Sequence, residues 1–496
     1  MVYSNPVLKG FYPDPSVCFA EGRYFMVCSS FQYFPGVPLF ESCDLVNWKQ
    51  IGHCLTRKSQ VELDKINSSG GIFAPTIRYN NGRFYMVTTN DTTHRNFYVW
   101  TDNIYGEWSE PVLVDQDGID PSLYFEDGRC FFLSNGTDDN GNHGVVQCEI
   151  NIETGEKLSE SRVIWQGSGG RYLESPHMYK INGLYYLMTA EGGTEYGHMV
   201  TYARSSSIWG EFEGYHNNPV LTNRNLGGYT IQGVGHGDLI QNKNGDWFML
   251  HLGFRQIDRW LTFHHLGREV FLTPVFFGED GWFTAGSNGT CTDTFEIKGD
   301  FTQAPLGNNS FANTAPFMEW CFLRHPVMEN YSFNENQFTL TATDVTLDMA
   351  DTPTFIGIRQ RDFNAEISCE IKSDATEAGI TLYMDENHHY DLAVELSEDG
   401  NYVALLRLNI GEAKCVQNKI HLTDNSAKLK IYSNSYCYSF ILCTENGEIQ
   451  LGTAQTRYLS SEVAGGFTGV LIGLYATGEG SADFISFNCN YNKNCL

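Results

Sequence analysis

Basic residues are scarce in this 496-residue chain: 32 Lys and Arg stand against 59 Asp and Glu, a formal net charge of −27. A nucleic-acid partner needs a basic footprint that this balance denies, whereas a neutral or weakly charged substrate is compatible with it. No run of about 18 apolar residues is present, so no membrane-crossing helix is expected. The opening MVYSNPVLKGFYPDP has neither a basic leader nor an apolar stretch, and we expect no secretory signal and a cytoplasmic setting. The 14 cysteines include no CxxC pair, which leaves zinc and redox motifs unsupported. Cys18, Cys28, Cys130 and Cys148 lie in apolar strand-like runs and read as buried reduced thiols. Long helical periodicity is absent as well. With 42% hydrophobic and 14% aromatic residues the chain can still fill large cores, and its length suffices for two or three domains.

What the chain does have is a repeat. Five times a short hydrophobic run meets a glycine-bearing turn and a second, aromatic-rich run, with the turns at Gly22, Gly82, Gly128, Gly183 and Gly245. The spacings between them are 60, 46, 55 and 62 residues, a period that suits propeller blades, and each pair of runs reads as a hairpin. Eight residues before the glycines stand Asp14, Ala74, Asp120, Ser175 and Gly237, and the next residue is proline in four of the five units. Residues 1–295 therefore predict a five-bladed all-β propeller. A polar segment follows over 296–315 and reads as a linker or crossover. From 316 to 496, runs such as QFTLTATDVTLDM and NYVALLRLNI alternate with period two, which predicts an antiparallel β-sandwich.

The repeat carries the functional argument. Asp14 and Asp120 share one repeat position, and Glu174 and His236 stand one residue earlier in theirs. If the first strand of each unit lines the axis, these side chains converge at one end of the channel. Asp14 and Asp120 read singly are turn residues before proline, but Glu174 is a poor turn former there. Carboxylates gathered in a narrow channel raise at least one pKa and separate an acid from a base. No nucleophilic Ser or Cys constellation competes, so the set points to glycoside hydrolysis, with abundant aromatics to stack on sugar rings. The residues alone leave retaining and inverting outcomes open.

The stretches NPVLKGFYPDPSV, GGIFAPTIRY, GIDPSLYFEDG, LESPHMYKINGLYYLMTAEGGTEYGHMVTYARS, GVGHGDLIQ and LGREVFL resemble, in order, the family 43 glycoside hydrolases, specifically two-domain β-xylosidases and α-L-arabinofuranosidases. GGFTGVLIGLYATG looks like the concanavalin A-like (jelly-roll) β-sandwich appended to these enzymes. The resemblance implies an inverting, exo-acting hydrolase of xylo- or arabinoxylo-oligosaccharides, with a dedicated α-L-arabinofuranosidase or a non-catalytic carbohydrate-binding propeller as the alternatives. It implies Asp14 as general base, Glu174 as general acid and Asp120 as the group that orients the acid and raises its pKa. Arg268 would contact sugar hydroxyls; its other reading is a surface partner of Glu269. Phe31 matches a pocket wall and Phe467 would reach over the pocket from the sandwich, each with a core phenylalanine as the other reading.

No cofactor is needed for the chemistry. At His236 the resemblance implies a calcium ion held largely by waters, against a channel histidine without metal. Family members often form dimers or tetramers, so a homo-oligomer is an open expectation. Two departures stand out: Phe73 replaces the family's usual Trp in GGIWAPT, and Ser175 replaces Gly in EGPH, where it restricts the backbone next to the acid.

Overall fold

Four of the five repeat turns are two-residue loops in which both residues have positive φ: Glu21-Gly22, Asn81-Gly82, Asp127-Gly128 and Asn182-Gly183. This is the type I′ geometry whose twist matches that of paired strands, and glycine supplies the second position without a steric cost. The fifth turn is longer, with Gln241 paired to Trp247 across it. In the computed structural model, which describes residues 1–299, 301–315 and 317–491, each hairpin grows outward into a four-stranded antiparallel sheet. The expected domain limits at 316 and 496 lie outside the described residues.

The first strands of the sheets are Ser16–Ala20, Thr76–Asn80, Ile119–Glu126, Glu174–Ile181 and Ile231–Gln241. Each touches the next, and the fifth touches the first, so they form a closed ring about an axis. Five hydrophobic cores fill the five gaps between neighbouring sheets. Phe25 with Phe84, Val87 with Phe132, Leu133 with Leu187, Met188 with Met249, and Leu250 with Met26 are representative pairs of residues sharing a core. A blade cannot bury both of its faces alone, so the ring is the stable unit. The N-terminal segment reinforces the closure: Val2–Ser4 pairs with Thr294–Glu296, and Leu8 bridges Val270 in the fifth blade.

The second half packs a six-stranded sheet against an eight-stranded one, with a shared interior that includes Trp320, Ile367, Leu392, Leu429 and Phe484. Among the described residues the only α-helix is the four-residue Ser461–Ala464. Among the described residues no helix is long and apolar enough to cross a membrane. The all-β reading, propeller then sandwich, agrees with this architecture.

The two halves are fused by a mixed core. Phe11, Phe31 and Tyr33 of the propeller share it with Leu323, Phe355, Tyr383 and Leu471 of the sandwich. Tyr33–Phe34 also pairs with Phe322–Leu323, a short ladder across the junction. Lys9 meets Asp362 at 2.6 Å, and the buried Arg324 pairs with Glu386 while donating to the Ile66 carbonyl at 2.6 Å. The sandwich is thereby held against the end of the propeller where the first strands begin.

Candidate active site

Asp14, Asp120, Glu174 and His236 line one cavity at that end of the ring, together with Phe31, Phe73, Thr194, His198, Arg268 and Phe467. The backbone explains how. Asp14, Asp120, Ser175 and His236 have φ of 56°, 54°, 56° and 51°, a left-handed conformation that costs non-glycine residues about 1–3 kcal/mol each. Strand pairing is also interrupted at Ile119/Ser122, Glu174/His177 and Gln232/Gly237, and such bulges re-aim side chains. The same irregularity at the entrance of four blades turns four polar side chains into the channel mouth. Ser175, which stands where the family has glycine, takes the strained φ itself, so the departure leaves Glu174 in the cavity.

Asp14 is 5% exposed and fully engaged. Its Oδ2 accepts from Ser29 Oγ at 2.5 Å and its Oδ1 from Arg268 Nη1 at 2.8 Å. Burial alone would raise its pKa, but the Arg268 guanidinium, the His236 ring and the Ser29 hydroxyl together hold it below the usual carboxylate range. Glu174 moves the other way. Burial, then the charge of Asp14, lift it to about 7 against the pull of Arg268. Asp120 is also raised well above the usual carboxylate range, by burial first and then by Glu174 and Asp14. Among the charges near Glu174, that of Asp14 raises its pKa and that of Arg268 lowers it. Asp120 instead accepts the backbone N–H of Ser175 and so fixes the turn that carries the acid.

Arg268 does not pair with Glu269, which is taken by Arg255 at 2.7 Å and by the Gly10 N–H at 2.8 Å. Adjacent strand residues face opposite ways, and Arg268 faces the cavity. Its guanidinium also reaches Thr194 Oγ1 at 2.8 Å and the Phe467 carbonyl at 3.2 Å. Phe467 comes from the sandwich and stacks on Phe31 at 6.0 Å, while Phe73 meets Phe31 at 5.6 Å and Phe467 at 6.2 Å. The three rings make one apolar wall.

His236 Nδ1 lies 3.8 Å from Asp14 Oδ1 and 3.9 Å from Asp120 Oδ2. Burial holds it below its ordinary pKa against the opposing pull of Asp14. Among the described residues no group of three or more His, Cys, Asp and Glu side chains could hold a metal ion. Calcium prefers six to eight oxygens, and here an imidazole faces carboxylates already bonded elsewhere. The donor set does not fit a cage made by the protein.

Two polar residues that line this cavity have no counterpart among the residues expected from the sequence. Thr194 and His198 belong to the connection between strands Leu184–Glu191 and Met199–Ser205, where no repeat position marks them. The stretch GGTEYGH that carries them was the available signal. Beneath the cavity, Asp238 accepts from Ser16 Oγ at 2.7 Å, the Val17 N–H at 3.0 Å, Arg78 Nη1 at 2.8 Å and Tyr179 OH. This hub ties four blades together where the other four units carry proline.

A second cavity of about 500 Å³ adjoins the first and shares Glu174, Thr194, Arg268 and Phe467 with it. Tyr172, Glu195, Tyr196 and His264 of the propeller and Ser461, Glu462 and Gly466 of the sandwich also line it. A wider cleft of about 1130 Å³, lined by Lys180, Trp247 and Phe276, contains none of the converging carboxylates. A pocket with an ionised carboxylate beside one that stays protonated to about pH 7, walled by aromatics, is equipped for acid–base cleavage of a glycosidic bond.

Residues 3–283 match the family described as Glycosyl hydrolases family 43, and residues 308–490 match the Beta xylosidase C-terminal Concanavalin A-like domain. The chain belongs to glycosyl hydrolase family 43. It is 37% identical to the non-reducing end alpha-L-arabinofuranosidase of Bacteroides ovatus over 98% of this chain and 95% of that one. It is 34% identical to a xylosidase/arabinosidase of Butyrivibrio fibrisolvens over 97% and 96% of the two chains. Among solved structures, the family 43 protein from a Bacteroides ovatus xyloglucan locus superposes with a TM-score of 0.92 at 36% identity, covering 99% of this chain and 100% of that one. A xylan beta-1,4-xylosidase from Bacillus halodurans gives 0.90 at 28% identity, covering 98% and 100%. As a family 43 member the chain is a glycoside hydrolase, and the chemistry of the family needs no cofactor.

Proposed function

We propose that the chain is an exo-acting, inverting hydrolase that removes terminal β-D-xylose and α-L-arabinofuranose from xylan-derived oligosaccharides. The observation that carries this reading is the opposite tuning of Asp14 and Glu174 within one cavity. Asp14, held ionised, takes a proton from the attacking water; Glu174, held protonated to about pH 7, gives its proton to the departing glycosidic oxygen. Asp120 positions the acid through the Ser175 amide. Arg268 and Thr194 hold hydroxyls of the terminal sugar, and the wall of Phe31, Phe73 and Phe467 takes its apolar face.

Exo action is supported by the arrangement of the two cavities. The inner one ends on the closed ring of first strands, and the outer one continues past Glu174, where the leaving portion would lie. The Bacteroides ovatus relative supports a second reading, in which α-L-arabinofuranosides are the preferred substrates. A cytoplasmic setting and short imported oligosaccharides belong to the same proposal. So does a water-coordinated calcium ion near His236, to which we assign no step.

The test is hydrolysis of 4-nitrophenyl β-D-xylopyranoside and α-L-arabinofuranoside by the wild type, Asp14→Asn and Glu174→Gln. Wild-type turnover of one or both, lost in the folded variants, is expected. No turnover by the wild type would favour a binding module, and full activity in either variant would overturn the roles.

A further inference from the structure

Two large aromatic rings stand in solvent beside the outer cavity. Trp260 is 87% exposed and Tyr172 is 60% exposed. An indole offers about 150–250 Å² of largely apolar surface, so leaving it in water forgoes one of the larger burial gains available to a side chain. Neither ring is on a loose tail. Tyr172 lines the cavity and follows a loop pinned by the buried Glu191, whose carboxylate accepts the Ser168 N–H at 2.7 Å and the Gly170 N–H at 2.6 Å. Asp258 pins the other loop, accepting the Trp260 N–H at 2.6 Å, the Leu261 N–H at 2.8 Å and the Tyr436 hydroxyl of the sandwich at 2.8 Å.

The position of Trp260 follows from its neighbours. Thr262 accepts a hydrogen bond from Tyr196, which lines the cavity, and His264 lines it directly. Two residues span at most about 7 Å, so Trp260 stands at the rim. The cavity that Tyr172 and Glu174 both line is within the roughly 300–1,000 Å³ range of ligand sites. The carboxylates of Glu195, paired with Arg171, and of Glu462, which accepts the Tyr196 hydroxyl at 3.0 Å and the His264 N–H at 3.1 Å, line it and keep lone pairs for further donors. Apolar ring faces outside and hydroxyl acceptors inside match a chain of pyranose units, which presents C–H faces and O–H edges along its length.

We propose that Trp260, with Tyr172, forms a distal platform that binds sugar units of an oligosaccharide two or more residues beyond the scissile bond. This deepens the proposed function and rests on it for the direction of the chain. Trp260 lies outside the catalytic cavity, so 4-nitrophenyl glycosides, which are too short to reach it, should turn over equally in the wild type and Trp260→Ala.

Calorimetry of xylobiose and xylotetraose binding to Glu174→Gln, with and without Trp260→Ala, is the test. The longer sugar should bind tighter than the shorter one, and Trp260→Ala should reduce that gain by about fivefold, with Trp260→Phe retaining most of it. Equal affinities with and without Trp260→Ala would overturn the proposal. So would unchanged sugar affinity accompanied by a change in sedimentation, since the ring would then serve contact with a second copy. Because the assay reads binding, it is separate from the turnover test: failure of wild-type turnover sinks the function, and a length effect that Trp260→Ala leaves intact sinks the platform.

Discussion

Arg268 Nη1 donates to Asp14 Oδ1 at 2.8 Å, and the same guanidinium bonds Thr194 and the Phe467 carbonyl. One side chain thus joins the first, fourth and fifth blades to the sandwich and keeps Asp14 ionised. Arg268→Lys keeps a charge but loses the planar fork, so two of these contacts go. We expect kcat/KM to fall by about a hundredfold. The acid limb of its pH profile should also move to higher pH, because the ammonium of a shorter side chain is held less closely against Asp14 than the guanidinium. An unmoved limb would show that Arg268 acts on the substrate alone.

Removing the general acid matters most when the leaving group is poor. Glu174→Gln should lower turnover of xylobiose by about 10²–10⁴ and that of a dinitrophenyl glycoside far less. Asp14→Asn should lower both alike, since every substrate needs the activated water. Steady-state rates on the two substrates separate these patterns, and equal losses in both variants would contradict the division of roles.

The pH profile follows from the two shifts. The proposed roles require Asp14 ionised and Glu174 protonated. It should therefore fall with rising pH through about 7, where Glu174 loses its proton, and fall with declining pH only below the ordinary 3.8 of an aspartate. Measuring kcat/KM from pH 3 to 9 checks both limbs, and activity still rising above about pH 8 would exclude Glu174 as the acid.

Because the sandwich supplies Phe467 and most of the junction core, deleting it does more than open the pocket. A chain ending near residue 300 would expose Phe11, Phe31 and Tyr33, and we expect it to aggregate. Phe467→Ala is the finer probe. With the backbone carbonyl still available to Arg268, it should raise KM for both glycosides and leave the melting temperature within a few degrees.

Asp238 is a matter of stability. Four donors from three other blades converge on it, and with Arg78 chief among them they hold it well below the usual range despite burial. Asp238→Asn would strand the Arg78 charge and cost about 3–5 kcal/mol. The folded pKa is depressed, so this stabilisation is present above the unfolded value near 4 and is lost as pH falls below it. Thermal melts at pH 7 and pH 3 should show a large gap between wild type and variant at the former and a smaller one at the latter.

The legible part of this molecule was the part that repeats. Asp14 and Asp120 are far apart in number, yet a common offset from Gly22 and Gly128 places them at one mouth, and Glu174 and His236 follow from the same rule. The resemblance supplied Phe31, Phe73, Arg268 and Phe467, which no offset would have found. Thr194, His198, Tyr172 and Tyr196 sit on connections of unequal length, and Glu462 arrives only when the sandwich docks. Their positions depend on tertiary contacts that composition and period do not encode. Asp238 was visible only as the unit without proline, and its role needed four partners drawn from other blades.

Proton NMR of the sugar first released from a β-xyloside tests the central claim most directly. A base in Asp14 that delivers water opposite an acid in Glu174 predicts α-xylose as the first product, with the β-anomer growing in only by mutarotation. If β-xylose appears first, a carboxylate has attacked the sugar, and the roles assigned to Asp14 and Glu174 are wrong.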